Sequence, residues 1–290
     1  MKKCIYHIKD LDGRCSGAIV KKCFPDAKMV GMNYGEPFDW EDITTADEII
    51  MVDFSLPIED MIRLNNMVKS FLWIDHHKTS IHEVEENEDK LNKSGDFTKC
   101  ISLEKSACEL AWKYFFFDTK LNWETPLAVT YLGRWDVWDH SWGADVAPFQ
   151  MGMLSYDTSV ESEIWDNVLD AWDGNFINDT VEIGKRIQQY VDSKNKWNMN
   201  FSFPVEFEGV RFICINNATT GSPQFDSVWD PDSHDAVMVF HMQPNKKWAF
   251  HLYTSKEGID LSKIAVKYGG GGHTGACGFQ LDNLPVEIKR

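Results

Sequence analysis

Short apolar runs alternate with helical segments over residues 1–80, and that alternation points to a parallel sheet covered by helices. Strand-like runs fall at residues 3–7, 28–32, 49–52 and 71–74. Residues 14–23 read as a helix, and Pro57 stands where it can open another. Ile58, Met61, Ile62, Leu64, Met67 and Val68 supply that second helix with an apolar face. Three of the runs lead straight into metal-seeking side chains: His7 with Asp10 and Asp12, then Asp53, then Asp75-His76-His77. In an open parallel sheet, ligands bind beyond the carboxyl ends of the strands. Groups far apart in sequence, Asp136 among them, are therefore expected to converge there.

Residues 83–93 are charged and read as a solvated loop or an exposed helix. Residues 106–172 are mainly helical, interrupted by an aromatic loop at 135–142. One long helix of mixed charge is expected over 178–200, connecting two domains. Residues 201–216 and 236–253 alternate like strands. Asp260 reads as the N-cap of a short helix that runs through Tyr268 and stops at a glycine cluster. The expected fold is α/β: a parallel-sheet domain over 1–177, a linker helix over 178–200, and a smaller mixed α+β domain over 201–290. No internal repeat and no low-complexity linker occurs.

The chain has 290 residues, 43% of them hydrophobic, enough for two domains with real cores. No run of some 18 apolar residues is present, so no transmembrane helix is expected. The basic start Met1-Lys2-Lys3-Cys4 leads into too short an apolar stretch for a signal peptide, and a cytoplasmic location is expected. Seven cysteines, none in a Cys-x-x-Cys pair, argue against a disulfide scaffold or a zinc ribbon. A net charge of −16 with no compensating basic run argues against a protein that tracks long nucleic acids, whose affinity comes from neutralising phosphates. Part of the acidic excess is accounted for if some carboxylates are metal ligands, and the rest by solubility.

Each motif also has an ordinary reading. Asp10-x-Asp12-Gly13 is a common turn, His7 can be a satisfied strand-end histidine, and Asp53 can cap the Pro57 helix. Asp75-His76-His77 is more specific, because one imidazole can reach a metal and the other a phosphate while the carboxylate fixes a ring tautomer. In Gly133-Arg134-Trp135-Asp136-Val137-Trp138-Asp139-His140, Asp139 and His140 compete with Asp136 as ligands. Gly269-Gly270-Gly271-Gly272-His273 reads either as a flexible loop or as a backbone cradle for an anion. It lacks the Gly-Lys-Ser/Thr ending of a P-loop.

Taken together and in this order, the motifs closely resemble the DHH phosphoesterase superfamily with its DHH-associated C-terminal domain. Asp75-His76-His77 matches the family-naming motif, and residues 270–279 match the glycine-rich signature of the associated domain. Within the superfamily the chain is most similar to the nanoRNase branch of oligoribonuclease-like and linear-dinucleotide phosphodiesterases. The resemblance implies two metal ions, most often Mn²⁺. His7, Asp10 and Asp53 would bind one ion, and Asp12, Asp53, His76 and Asp136 the other, with Asp53 bridging. It further implies that His77 contacts the scissile phosphate, that Asp75 orients the histidines, and that His273 reaches the substrate. Two departures stand out. The offset of His7 from Asp10 varies among branches, and the strand before the glycine cluster, in which many relatives carry an arginine, reads Phe250-His251-Leu252-Tyr253-Thr254-Ser255 here.

An oxygen and nitrogen ligand set without thiolate suits Mn²⁺ or Mg²⁺, and the imidazoles tilt it toward Mn²⁺. Arg14, Lys78 and Arg134 lie beside the motifs, and Gly271 and Gly272 beside His273, as candidate substrate contacts. The leading expectation is a Mn²⁺-dependent phosphodiesterase that hydrolyses short oligonucleotides or dinucleotides to mononucleotides, with no membrane partner and with a homodimer open. Two alternatives stand beside it: a phosphoanhydride hydrolase acting on pyrophosphate, polyphosphate or a nucleoside bisphosphate, and a catalytically silent nucleotide-binding module.

Overall fold

The computed structural model describes residues 1–290 except 94, 117–123, 171–173, 219–220 and 289–290. The chain divides into two compact units, Met1–Gln188 and Gln189–Arg290. Among the described residues, no helix is long and apolar enough to cross a membrane.

The first unit is built on five parallel strands: β1 (Lys2–His7), β2 (Lys28–Met32), β3 (Glu48–Val52), β4 (Ser70–Asp75) and β5 (Phe97–Ile101). They lie in the order β2-β1-β3-β4-β5. Successive side chains of a strand point to opposite faces, and here both faces are buried. Cys4, Tyr6, Ile50, Val52 and Ile74 pack into one core. Ile5, Ile49, Met51, Phe71 and Trp73 pack into the other.

Helices α1 (Leu11–Cys23), α5 (Ala107–Phe116), α6 (Leu127–Asp136), α7 (Val146–Met153) and α8 (Ile164–Leu169) supply the first core. Helices α2 (Ile58–Met67), α3 (Lys78–Glu86) and α4 (Glu88–Asn92) supply the second. The charged stretch 83–93 is thus helical, with Val84 and Leu91 buried. Pro57 is the N-cap of α2, and Met61 and Leu64 on its inner face are buried.

Helix α9 (Asn175–Asn198) crosses the division between the units. The second unit holds β6 (Phe203–Phe207), β7 (Val210–Asn216), β8 (Ala236–Met242), β9 (Trp248–Tyr253), α10 (Ser262–Lys267), β10 (Gly271–His273) and β11 (Ala276–Leu281). Its six-stranded sheet runs β10-β11-β9-β8-β7-β6, antiparallel except for the β7–β8 pair. The second half of the glycine cluster is a strand here rather than a loop. Gly271, Gly272 and His273 pair with Gly278, Cys277 and Ala276. Glycine suits this edge because Gly272 has φ +132°, and a Cβ there would meet Cys277 Cα at 2.6 Å. The short helix begins one residue later than the sequence suggests, with Leu261 as its N-cap, while Asp260 Oδ1 accepts from the Ser262 N–H at 3.2 Å.

Candidate metal centre

Strand order brings the acidic motifs together. β1 and β3 are neighbours, and β3 and β4 are neighbours, so the residues leaving all three strands share one end of the sheet. The order reverses between β1 and β3, where doubly wound sheets open a crevice. Asp10 caps α1 by accepting from the Gly13 N–H at 2.9 Å. Helix α1 starts at Leu11 rather than near Arg14, so a rigid first turn, not a loop, presents Asp12. Both Asp12 oxygens are held by the N-terminus of α5: Oδ2 accepts from Ala107 N–H at 2.9 Å and Oδ1 from Cys108 N–H at 2.8 Å. A helix N-terminus favours a buried carboxylate.

Gly13 is required by space. A Cβ there would lie 2.2 Å from His7 O, 2.7 Å from His7 Cβ and 2.9 Å from Asp53 Oδ2. Alanine normally favours a helix over glycine, yet Gly13→Ala is expected to lower stability by about 1–3 kcal/mol through overpacking and to weaken metal binding. Urea unfolding and a Mn²⁺ titration check this, and wild-type values in both would contradict the close approach.

Asp53 follows β3 with φ +52°, the left-handed region that aspartate tolerates better than most residues. It is 1% exposed. Its Oδ1 lies 3.2 Å from His76 Nε2, and its Oδ2 lies 3.7 Å from His7 Nδ1. Three sets of donor atoms gather here: His7, Asp10 and Asp53; Asp12, His76 and Asp136; and Asp53, Asp75, His76 and His77. His76 Nε2 is 3.1 Å from Asp136 Oδ2 and 3.6 Å from Asp12 Oδ2. His7 Nδ1 lies 2.7 Å from Asp10 Oδ2, an ion-pair contact that does not meet hydrogen-bond geometry. Asp53 Oδ1 also lacks a hydrogen-bond partner. Buried polar atoms without partners are costly, and convergent lone pairs of this kind fit a divalent cation.

Asp75 is a poorer ligand than its place in the third set suggests. Its Oδ2 accepts from Ser55 Oγ at 2.6 Å, and its Oδ1 accepts from the backbone N–H groups of His76 at 2.6 Å and His77 at 3.1 Å. The same Oδ1 lies 2.7 Å from His77 Nδ1. Asp75 therefore orients the His76-His77 turn, and its pairing leaves His77 Nε2 uncommitted. The His77 pKa is raised, chiefly by this carboxylate.

Burial, reinforced by Asp12, pushes the Asp136 carboxyl up to about 7. Burial and the same neighbour raise Asp53 well above the carboxylate range. Asp10 and Asp53 push His7 up to about 10. Without cations, the cluster relieves its crowding of charge by holding protons.

The basic candidates fare differently. Arg134 is buried and pairs with Glu109 and, at 3.2 Å, with Asp139, so its guanidinium braces α5 against the end of α6 rather than facing a substrate. Asp139 is committed to Arg134 and to Ser141, outside the cluster, and the His140 side chain lies outside the described residues. Arg14 donates to Ile8 O at 2.7 Å and to Thr158 Oγ1, tying down the turn after β1. Lys78 is exposed at the start of α3. In the second unit, Gly271, Gly272 and His273 are exposed on the edge strand β10.

Tyr34 is absent from the sequence-derived set. Its ring packs 5.4 Å from His7, 5.0 Å from Phe54 and 6.1 Å from His77. Partial burial of the ring, with the nearby Asp75 and Asp53 carboxylates, raises the Tyr34 pKa and keeps its phenol protonated, although the residue is 46% exposed. Only strand order could have flagged it, because β2 flanks β1 although 20 residues separate them in the chain.

No family model matches the sequence. The uncharacterized protein R106 of Acanthamoeba polyphaga mimivirus is 22% identical over 246 residues, covering 81% of this chain and 53% of that protein. The chain thus spans about half the length of the curated relative it matches. Among solved structures, the pGpG-specific phosphodiesterase PggH from Vibrio cholerae matches with a TM-score of 0.53 and 13% identity over 97% of this chain and 93% of that one. The two chains share a fold. An exopolyphosphatase-related protein from Bacteroides fragilis gives a TM-score of 0.47 at 10% identity, covering 99% of this chain and 89% of that one.

Proposed function

We propose that the chain is a metal-dependent hydrolase of the DHH phosphoesterase superfamily that cleaves short oligonucleotides or linear dinucleotides to mononucleotides, with Mn²⁺ as the preferred ion. The position of Asp53 carries this reading. One buried carboxylate faces His76 with one oxygen and His7 with the other, which suits a bridge between two ions. On this reading, His7, Asp10 and Asp53 hold one ion, and Asp12, Asp53, His76 and Asp136 hold the second. The donors are all oxygen and nitrogen, and no cysteine belongs to any of the three sets, which suits Mn²⁺ or Mg²⁺.

Divalent ions held by these residues would supply Lewis-acid polarisation of phosphoryl oxygens and acidification of a water. The chain's own residues do the remainder. Ala107 and Cys108 lock Asp12, Ser55 and Asp75 lock the His76-His77 turn, and His77 offers a proton-bearing nitrogen to the phosphoryl oxygens as charge develops. His273, with Gly271 and Gly272, is assigned to substrate on the family resemblance. The fold shared with a phosphodiesterase named for the diester pGpG supports this substrate class. Seven free thiols suit a reducing cytoplasm.

Labelled di- to decanucleotides incubated with Mn²⁺ are expected to yield mononucleotides, and EDTA is expected to stop the reaction. Release of inorganic phosphate from pyrophosphate or polyphosphate, with oligonucleotides left intact, would replace this reading by the anhydride one. Tight nucleotide binding with no product would replace it by a silent binding module.

A further inference from the structure

The end of α6 carries an exposed tryptophan in a left-handed backbone conformation. Asp136 is the last residue of the helix and Val137 its C-cap. Beyond them, the Trp138 N–H donates to Trp135 O at 3.2 Å and the Asp139 N–H to Arg134 O at 2.9 Å. These are the two bonds of a Schellman cap, whose left-handed residue is usually glycine. Here that residue is Trp138, with φ +55°. A bulky side chain in this region is strained. Burial does not compensate for it, because Trp138 is 69% exposed. Its indole stacks on Trp135 with ring centres 5.8 Å apart and planes 27° apart. The two indoles flank Asp136 in the chain, and the Asp136 carboxylate lies 3.1 Å from His76.

We infer that Trp138, backed by Trp135, is a stacking platform for a nucleobase of the substrate, next to the phosphate held at the metal centre. This inference rests on the phosphodiesterase reading above and deepens it by naming the part of the substrate recognised. An aromatic face serves any base, because every base has a π-face, and a base lies one sugar away from its phosphate. A polyphosphate has no ring to place there. Strain that is kept at an exposed position beside a reactive centre is what selection for binding, rather than for stability, leaves behind.

The test compares wild type with W138G and W138F on the dinucleotide pApA and on the same diester with both bases removed, in Mn²⁺. Calorimetric binding of AMP is measured in parallel. Glycine relieves the strained cap, so W138G is expected to raise Tm by roughly 2–4 °C. It is also expected to raise KM for pApA by roughly 5- to 150-fold, the loss of one stacked base, with kcat nearly unchanged. KM for the abasic diester should not move, and W138F should retain most of the wild-type affinity.

An unchanged KM for pApA, or an equal rise on the abasic diester, overturns the inference. A lower Tm for W138G overturns its premise. If wild type hydrolyses neither diester, the phosphodiesterase reading fails, and AMP binding decides alone: weaker binding by W138G upholds the platform and equal binding overturns it.

Discussion

Asp53→Asn is expected to abolish phosphodiester hydrolysis while raising the Tm of the metal-free protein. Two physical facts set the opposite signs. For catalysis, Asp53 is the carboxylate shared between two of the donor sets, so removing its charge is expected to weaken both of the proposed ion sites at once. A loss of about 10³-fold or more is expected, equivalent to about 4 kcal/mol of barrier. For stability, Asp53 is buried with Oδ1 lacking a hydrogen bond, and Asp12, Asp10 and Asp75 all disfavour its charged form. Asparagine keeps the shape, tolerates the left-handed backbone and removes the repulsion. Thermal unfolding in EDTA and turnover in Mn²⁺ give the two readouts on one variant. His76→Ala and Asp136→Ala should lose turnover to a similar degree while remaining folded. Retention of more than about a tenth of wild-type activity by all three would sink the two-metal reading, because such losses are normally worth several kcal/mol. A lowered Tm for Asp53→Asn would show that Asp53 is a structural carboxylate after all.

The parallel-sheet frame was legible because its first four strands are short, apolar and bounded by turn residues. The fifth, Phe97–Ile101, was not, because its middle carries Thr98 and Lys99 and it lies at the edge of the sheet. Edge strands mix polar and apolar residues, and periodicity then loses its contrast. The candidate ligands could be named from their segments, but how they are held could not. Asp12 is fixed by backbone amides of Ala107 and Cys108, nearly 100 positions away, and amides carry no signal in a sequence. Arg134 read as a cation free for substrate because Glu109 lies on another helix, and only the packing of α5 on α6 reveals the pair. The strand pairing within the glycine cluster was hidden for a related reason. Glycines permit both a loop and a close strand pairing, and only the register with Ala276–Leu281 separates the two.

Mn²⁺ is expected to stabilise the protein far more at pH 8 than at pH 5.5. In the metal-free fold, Asp136 titrates at about 7 instead of 3.8 because of burial and Asp12, and Asp53 is raised for the same reasons. His7 titrates at about 10 instead of 6.5 because of Asp10 and Asp53. All three groups bind protons more tightly in the folded chain than in the unfolded one. Their contribution to stability is therefore complete below the unfolded values and is lost as pH rises through the folded ones, from about 4 to 7 for Asp136 and from about 6.5 to 10 for His7. Cations reverse that trend. Held among the same lone pairs, they would displace the protons and bind better as the protons become easier to remove. At an ion concentration of about 1,000 Kd the stabilisation is about 4 kcal/mol, and protons at pH 5.5 should cancel most of it. Differential scanning fluorimetry with Mn²⁺ and with EDTA, at both pH values, measures the difference. Equal shifts in Tm at pH 5.5 and pH 8 would mean that the ions bind somewhere other than among Asp53, Asp136 and His7.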